Sequence, residues 1–437
     1  MFNSIIDRIN NSDIGKRMAK GAFWSFTGTA MAKFLVLVSG VICARILTQQ
    51  QYGQFGIVRS TVNMFVVFGS VGLGMTATKY ISQYRNGHEE RISSIYQLTN
   101  GFALIAGIIV TSVIIAVSPL IAEKTLDSPE LSMPLRLGAL LLFMTVLNGA
   151  QNGTLTGLED FRSIAMNTLW GSIAESVFMI VGALIWGLNG AVAGYGIGFI
   201  VLYVSNRISI KKDFRRMGIS VCRESFNKSD LQLLYKFSLP AALSLIVIPT
   251  AYWVIKTFLA RESGFEQVAV YEAADQWKII IMFIPSSISR IVLPILSNTG
   301  TNESDKFWHI LKINLYINGG ISFIIALVVC IFSRFIMGLY GAGYSDALTL
   351  IVMAASVVLW SLSNVVGLSI SSRARMWAGF AFNSIWAVMV VSFSHYYVCK
   401  GMGAQGLAYA ILCSFVFHTI IQFVYLCCII RQKQNDE

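Results

Sequence analysis

Charge is scarce in this sequence. Asp, Glu, Lys and Arg make up 13% of its 437 residues, roughly half the share usual in a soluble domain. Motor and hydrolase motifs are also missing. No GxxxxGK[ST] loop is present, which excludes an ATP-driven motor within the chain. There is no HExxH or GxSxG, and the four histidines (His88, His309, His395 and His418) are dispersed. The seven cysteines form no CxxC pair and mostly lie in or beside apolar blocks, where they read as small packing residues. Neither a metal nor a cofactor is therefore expected. The longest gap on the outer side runs only about 119–134, whereas a saccharide polymerase or ligase needs a large exposed catalytic surface. The chain is not expected to be an enzyme.

What is present is apolar surface in long blocks. Residues AVILMFWYC reach 55%, gathered in runs of the about 20 residues a helix needs to cross a bilayer core. Helices are expected near 21–44, 55–78, 95–118, 135–156, 164–187, 190–209, 237–260, 268–296, 311–332, 347–370, 378–398 and 403–430. That pattern predicts an all-α polytopic membrane protein of about twelve transmembrane helices. The first block lacks a small-residue cleavage site and reads as a retained helix. A basic stretch, 207–236, divides the chain into halves of six helices each. The expected organisation is an N-terminal interfacial segment (1–20), a first half (21–210), a basic linker (211–236), a second half (237–430) and a tail (431–437). Ser229 and Gln232 have capping-box spacing ahead of an apolar face, and Phe2, Ile5, Ile6 and Ile9 suggest a short helix on the membrane surface.

The net charge of +11 does not point to nucleic acid, because the bases sit in the gaps between apolar blocks. Twenty-two Lys and Arg fall on the side of the termini and the 207–236 stretch, and six on the other. The positive-inside rule then places both termini in the cytoplasm. Lys211, Lys212, Arg215 and Arg216 form a basic cluster suited to anionic membrane lipids.

The remaining five bases lie within helices: Lys33, Arg59, Lys256, Lys278 and Arg290. Three acids join them, Glu175, Glu272 and Asp275. Each costs roughly 2.5–3.5 kcal/mol at a helix centre, so each implies a partner or a hydrated passage. Glu272, Asp275 and Lys278 recur at i+3 and share a face. Pairing Asp275 with Lys278 and Glu175 with Lys33 would leave Arg59, Lys256 and Arg290 for an anion. The bases are thus candidate substrate ligands and the acids candidate ion-pair or coupling residues. Gly149-x3-Gly153-x3-Gly157 and Gly190-x3-Gly194-x3-Gly198 predict close helix packing. Pro240, Pro249, Pro285 and Pro294 are expected to interrupt the seventh and eighth helices.

Short motifs run through the chain in order. They are Ala44-Arg45-Ile46-Leu47 with Tyr52-Gly53-Gln54-Phe55, then Gly72-Leu73-Gly74 with Thr78-Lys79-Tyr80-Ile81 and Tyr84-Arg85. Gly157-Leu158-Glu159-Asp160-Phe161-Arg162, Phe283-Ile284-Pro285, Leu293-Pro294-Ile295-Leu296-Ser297 and Leu339-Tyr340-Gly341 follow. The series resembles the Wzx-type O-antigen and polysaccharide flippases of the multidrug/oligosaccharidyl-lipid/polysaccharide exporter superfamily. The resemblance implies a bacterial inner-membrane protein with two six-helix lobes around a central cavity. It implies as substrate an undecaprenyl-diphosphate-linked oligosaccharide, turned from the cytoplasmic to the periplasmic leaflet by alternating access. Polysaccharide polymerase and chain-length machinery are the partners that would follow. The alternatives are a cation-coupled drug antiporter of the same superfamily, for which the first half offers only Glu175, and a membrane glycan polymerase.

Overall fold

Hydrocarbon offers backbone N–H and C=O groups no partner, so an apolar chain that enters it must bond to itself as helix. A computed structural model describes residues 13–435 except 71, 86–88, 220–238, 298–303 and 373–375. At 13–22, 89–90, 239–245, 290–297, 304–306, 376 and 429–435 it describes the helix and not the side chains. The elements in order are α1 (Asp13–Ile46), α2 (Gln49–Ser70), α3 (Leu73–Tyr84), α4 (Glu89–Leu120), α5 (Ser132–Gly157) and α6 (Phe161–Arg216). After these come α7 (Leu239–Ser263), α8 (Phe265–Ser297), α9 (Ser304–Ile331), the short α10 (Ser333–Gly338), α11 (Ala347–Ser372), α12 (Met376–Cys399) and α13 (Gly403–Asn435). Among the described residues, eight helices are long and apolar enough to cross a membrane, or nine if the bent pair α2 and α3 is one span. Large apolar side chains such as Phe34, Ile185 and Trp377 stand exposed on their outer faces, as lipid-facing residues do. The two proposed interfacial helices fall outside the described residues.

Helix ends follow local chemistry. Thr48 and Gln51 cap α2 reciprocally: the Gln51 N–H donates to Thr48 Oγ1 (3.2 Å) and the Thr48 N–H to Gln51 Oε1 (3.3 Å). Asp160 accepts from the Ser163 N–H at the start of α6. The 56-residue α6 is two helices, since Trp186 and Gly187 leave helical geometry and Gly187 has a φ of 55°. The segments fold back on each other. A Cβ on Gly190 or Gly182 would strike the other's backbone, and one on Gly198 would meet Glu175 Cβ at 2.5 Å. Two glycines of the earlier triplet act similarly, Gly153 against the Gly74 backbone and Gly157 against Ile81. Gly149 has open space where a Cβ would stand. The interruptions expected at prolines are absent from the described backbone: α7 runs through Pro249 and α8 through Pro285 and Pro294. Pro240 sits in the first turn of α7, where its missing N–H would be unsatisfied anyway.

The described residues divide into two units. One holds those up to Ser39, Thr61–Lys124 and Ser128–Ile246; the other holds Gly40–Ser60, Thr125–Asp127 and Val247 onward. In the first, Leu98, Leu142 and Val146 of α4 and α5 centre one core, and Ile81, Ile92, Leu155 and Phe214 another. Asn206 donates to Asn152 (3.0 Å) and accepts from Asn167 (2.9 Å), tying α5 to both segments of α6. In the second, Phe307, Leu311, Val365, Ile370, Phe382 and Leu426 form the core of α9, α11, α12 and α13.

Candidate functional site

The second unit gathers the intramembrane charge. Glu272 on α8, 1% exposed, is its centre. Arg59 Nη2 of α2 lies 2.5 Å from Glu272 Oε2, and Lys256 Nζ of α7 lies 2.6 Å from Oε1. Asp275, one turn on, accepts from Lys278 in an ion pair and stands 3.8 Å from Lys256 Nζ. Lys278 also sits 4.6 Å from the centre of the Tyr252 ring, and Lys256 5.4 Å from that of Tyr271. Gly56 makes the arrangement possible, because a Cβ there would fall 2.7 Å from Glu272 Cδ.

Among the described residues, three cations therefore share the two carboxylates of Glu272 and Asp275. Each contact to Glu272 carries roughly 6 kcal/mol of gross attraction at an effective dielectric near 20, offset by the cost of stripping water from both ions. The carboxylates pair with bases whose lone charge would be costly at this depth. The result is a preorganised set of charged N–H donors, a chemistry suited to oxyanions.

The sequence pairing that left Arg59 and Lys256 unengaged is corrected by this geometry: both are bound to Glu272. The i+3 spacing on α8 revealed the Asp275–Lys278 face, whereas the Arg59–Glu272 contact spans 213 positions and has no local signal. Lys33 on α1 and Glu175 on α6 are half-buried and belong to the first unit. Arg290 lies on α8, and its side chain is outside the described residues.

Beside the cluster is a knot of residues that sequence reasoning valued only as motifs. Gln276 donates to the Tyr52 hydroxyl (2.6 Å) and accepts from that of Tyr340 (3.2 Å). The rings of Tyr52, Tyr340 and Tyr344 pack together with centroids 5.6–6.5 Å apart. Arg45 Nε donates to the Leu339 carbonyl (2.5 Å), and Gln49 donates to those of Glu266 (3.2 Å) and Gly343 (2.9 Å). Gly53 admits the Phe265 carbonyl where any Cβ would clash. The Ala-Arg, Tyr-Gly and Leu-Tyr-Gly motifs are thus one structure, with Leu339–Gly341 in the turn after α10. In the first unit, Arg85 pairs with Glu159 (2.9 Å) and donates to the Leu158 carbonyl (3.2 Å). That turn puts Glu159 at a φ of 61°.

The chain as a whole is similar to known proteins. The EPS I polysaccharide export inner membrane protein EpsE of Ralstonia nicotianae is 23% identical over 409 residues, covering 90% of this chain and 91% of that one. A putative O-antigen transporter of Shigella flexneri is 23% identical over 64% of this chain and 66% of its own length. The lipid III flippase of Escherichia coli is 21% identical over 64% and 67%. Among solved structures, the inward-facing conformation of a multidrug resistance MATE family transporter of the MOP superfamily superposes with a TM-score of 0.79. It is 16% identical, over 95% of this chain and 99% of that one, a likeness of fold alone. The polysaccharide biosynthesis protein family matches residues 18–299, a span that contains Arg59, Lys256, Glu272, Asp275 and Lys278, and to that family this chain belongs.

Proposed function

We propose that the protein is a flippase that turns an undecaprenyl-diphosphate-linked oligosaccharide from the cytoplasmic to the periplasmic leaflet of a bacterial inner membrane. Both termini lie in the cytoplasm, as the distribution of Lys and Arg argues. The observation that carries the reading is the cluster of three cations on two buried carboxylates. A diphosphate and its glycan cannot enter hydrocarbon, but the isoprenoid tail can remain in it. A diphosphate reaching Arg59 and Lys256 competes with Glu272 for the same N–H groups, and the guanidinium can meet phosphate with two parallel bonds. Substrate exchange for an internal carboxylate avoids ever exposing a bare cation, and the carboxylate's return releases the cargo. Lys33 is a further candidate substrate contact. Rocking of the two six-helix halves supplies alternating access. The names of the relatives, which concern polysaccharide export, O-antigen transport and lipid III flipping, support this substrate class over a drug antiporter.

The test is complementation of a flippase-null bacterium that supplies the matching saccharide lipid, scored by surface polysaccharide and by membrane abundance of the protein. Restoration by the unaltered chain is expected. Drug resistance on overexpression without restoration would favour the antiporter.

A further inference from the structure

His418 has a role that the charge cluster does not require. It lies on α13, 6% exposed, one turn before Gln422 (4%) and facing Ser363 of α11 (4%). The three polar side chains close a ring. His418 Nδ1 is 2.8 Å from Ser363 Oγ, Ser363 Oγ donates to Gln422 Oε1 (2.9 Å), and Gln422 Nε2 is 3.2 Å from His418 Nε2. Since the serine proton goes to the amide oxygen, Ser363 Oγ accepts from Nδ1–H, and Nε2 accepts from the amide N–H. Imidazole donates to serine, serine to amide and amide to imidazole. Every polar atom of a neutral histidine is satisfied, with one tautomer selected.

Adding a proton at Nε2 breaks the ring in a defined way. Two N–H donors then face each other, and the amide must turn so that Oε1 accepts from Nε2–H. Its NH2 group then donates to Ser363 Oγ, and the serine hydroxyl is released to compete with Thr419, which donates to the Leu359 carbonyl one helical turn back (3.4 Å). In that arrangement both imidazole N–H groups keep an acceptor. Space for the turn exists because residue 367 is glycine: a Cβ there would stand 3.6 Å from Gln422 Nε2, in contact with the amide. Two protonation states are thus matched to two discrete arrangements, which is what a switch needs.

Among the described residues the ring's direct contacts are with neutral side chains. Helix α11 carries no Asp, Glu, Lys, Arg or His. The nearest titratable groups on α13 are Tyr409, Cys413 and Tyr425, and α12 offers His395, Tyr396, Tyr397 and Cys399 at its end. On α9 the ionisable groups Asp305, Lys306, His309 and Lys312 cluster near its start, with Tyr316 one turn beyond. The charges of α8 are reached through aromatic rings. Phe415 packs on His418 (6.3 Å between centroids), Trp386 on Phe415 (5.3 Å) and Tyr252 on Trp386 (5.5 Å), and Lys278 lies over Tyr252.

We propose that His418, with Ser363 and Gln422, is the binding site of a proton that drives transport, and that the ring path through Phe415, Trp386 and Tyr252 carries the change of state to the Lys278–Asp275 pair. The proton adds to the Nε2 lone pair and leaves from the same atom, so no other reactant is needed. This rests on the flippase reading for the identity of the cargo but not for the proton site itself.

The experiment is a pH titration of ring-15N-histidine protein in lipid nanodiscs by NMR, with His418→Asn assigning the signal among four histidines. The unaltered protein should show His418 as the Nδ1–H tautomer at alkaline pH and doubly protonated in acid. Gln422→Glu should shift the transition upward, since a carboxylate accepts from Nε2–H without turning. Gly367→Val, which fills the turning space, should shift it downward. A ring that stays neutral across the range in which the protein remains folded overturns the proposal, as does a transition that neither substitution moves. In proteoliposomes, an imposed proton gradient should stimulate lipid-saccharide flipping by the unaltered protein, and His418→Gln should remove that stimulation. Stimulation retained in His418→Gln overturns the driving role. Failure of the unaltered protein to flip the lipid refutes the cargo alone, because the titration stands on its own.

Discussion

Replacing Glu272 by Gln removes the shared counter-ion of two bases while keeping the side chain's shape. Lys256 is the more deeply buried base: its side chain is 8% exposed, against 16% for Arg59. Breaking a buried ion pair by deleting one partner costs about 3–5 kcal/mol, whereas a pair that reaches water is worth roughly 0–1 kcal/mol. Lys256 should therefore carry most of the loss. Asp275, at 3.8 Å, is its reserve partner and limits the damage, so the net destabilisation should be near the lower bound, about 3 kcal/mol. Unfolding would be measured in one fixed lipid or detergent system for Glu272→Gln alone and combined with Lys256→Met or Arg59→Gln. The Lys256 double variant should recover most of the loss and the Arg59 double variant little. A single variant within about 1 kcal/mol of the unaltered protein, or a Lys256 double variant no better than the single, would refute the assignment of Glu272 as the buried counter-ion.

Other outcomes follow from the same geometry. Asp275→Asn should impair export more than Asp275→Asn combined with Lys278→Met, because the single change leaves a buried ammonium unpaired; surface polysaccharide at matched protein abundance reads this. Arg59→Lys keeps the charge but loses the planar fork and should retain partial export, while Arg59→Ala and Lys33→Ala should abolish it without lowering membrane abundance. Gly53→Ala should destabilise the fold by driving a methyl into the Phe265 carbonyl, whereas Gly149→Ala, facing open space, should be tolerated; thermal unfolding separates the two. A periplasm-specific reporter fused after Arg431 should be silent, and strong activity there would overturn the proposed orientation.

Apolar block length was enough to read a helical membrane protein, and the ordered motifs were enough to point to the family, because both signals are local. The glycine triplet at 190, 194 and 198 was legible for the same reason: fixed spacing on a helix predicts a close approach to a neighbour. Ion pairing was not legible beyond α8. Arg59 reaches Glu272 through a helix hairpin whose docking depends on Gly53 and Gly56, and nothing beside residue 59 in sequence names its partner. Expected breaks at Pro249 and Pro285 did not appear, since one missing backbone bond is tolerated within a packed bundle. His418 looked like one of four scattered histidines, and only the register of α11 against α13 brings Ser363 to its ring.

The most direct test of the central claim is leaflet transfer by the purified protein. Liposomes would carry an undecaprenyl-diphosphate-linked saccharide with a fluorescent sugar label, and a membrane-impermeant quencher would be added outside. The account predicts that the unaltered protein brings the inner-leaflet label within reach of the quencher, and that Arg59→Ala and Lys33→Ala leave it protected. Continued protection with the unaltered protein, or equal transfer by the alanine variants, would contradict a flippase that works through these cations.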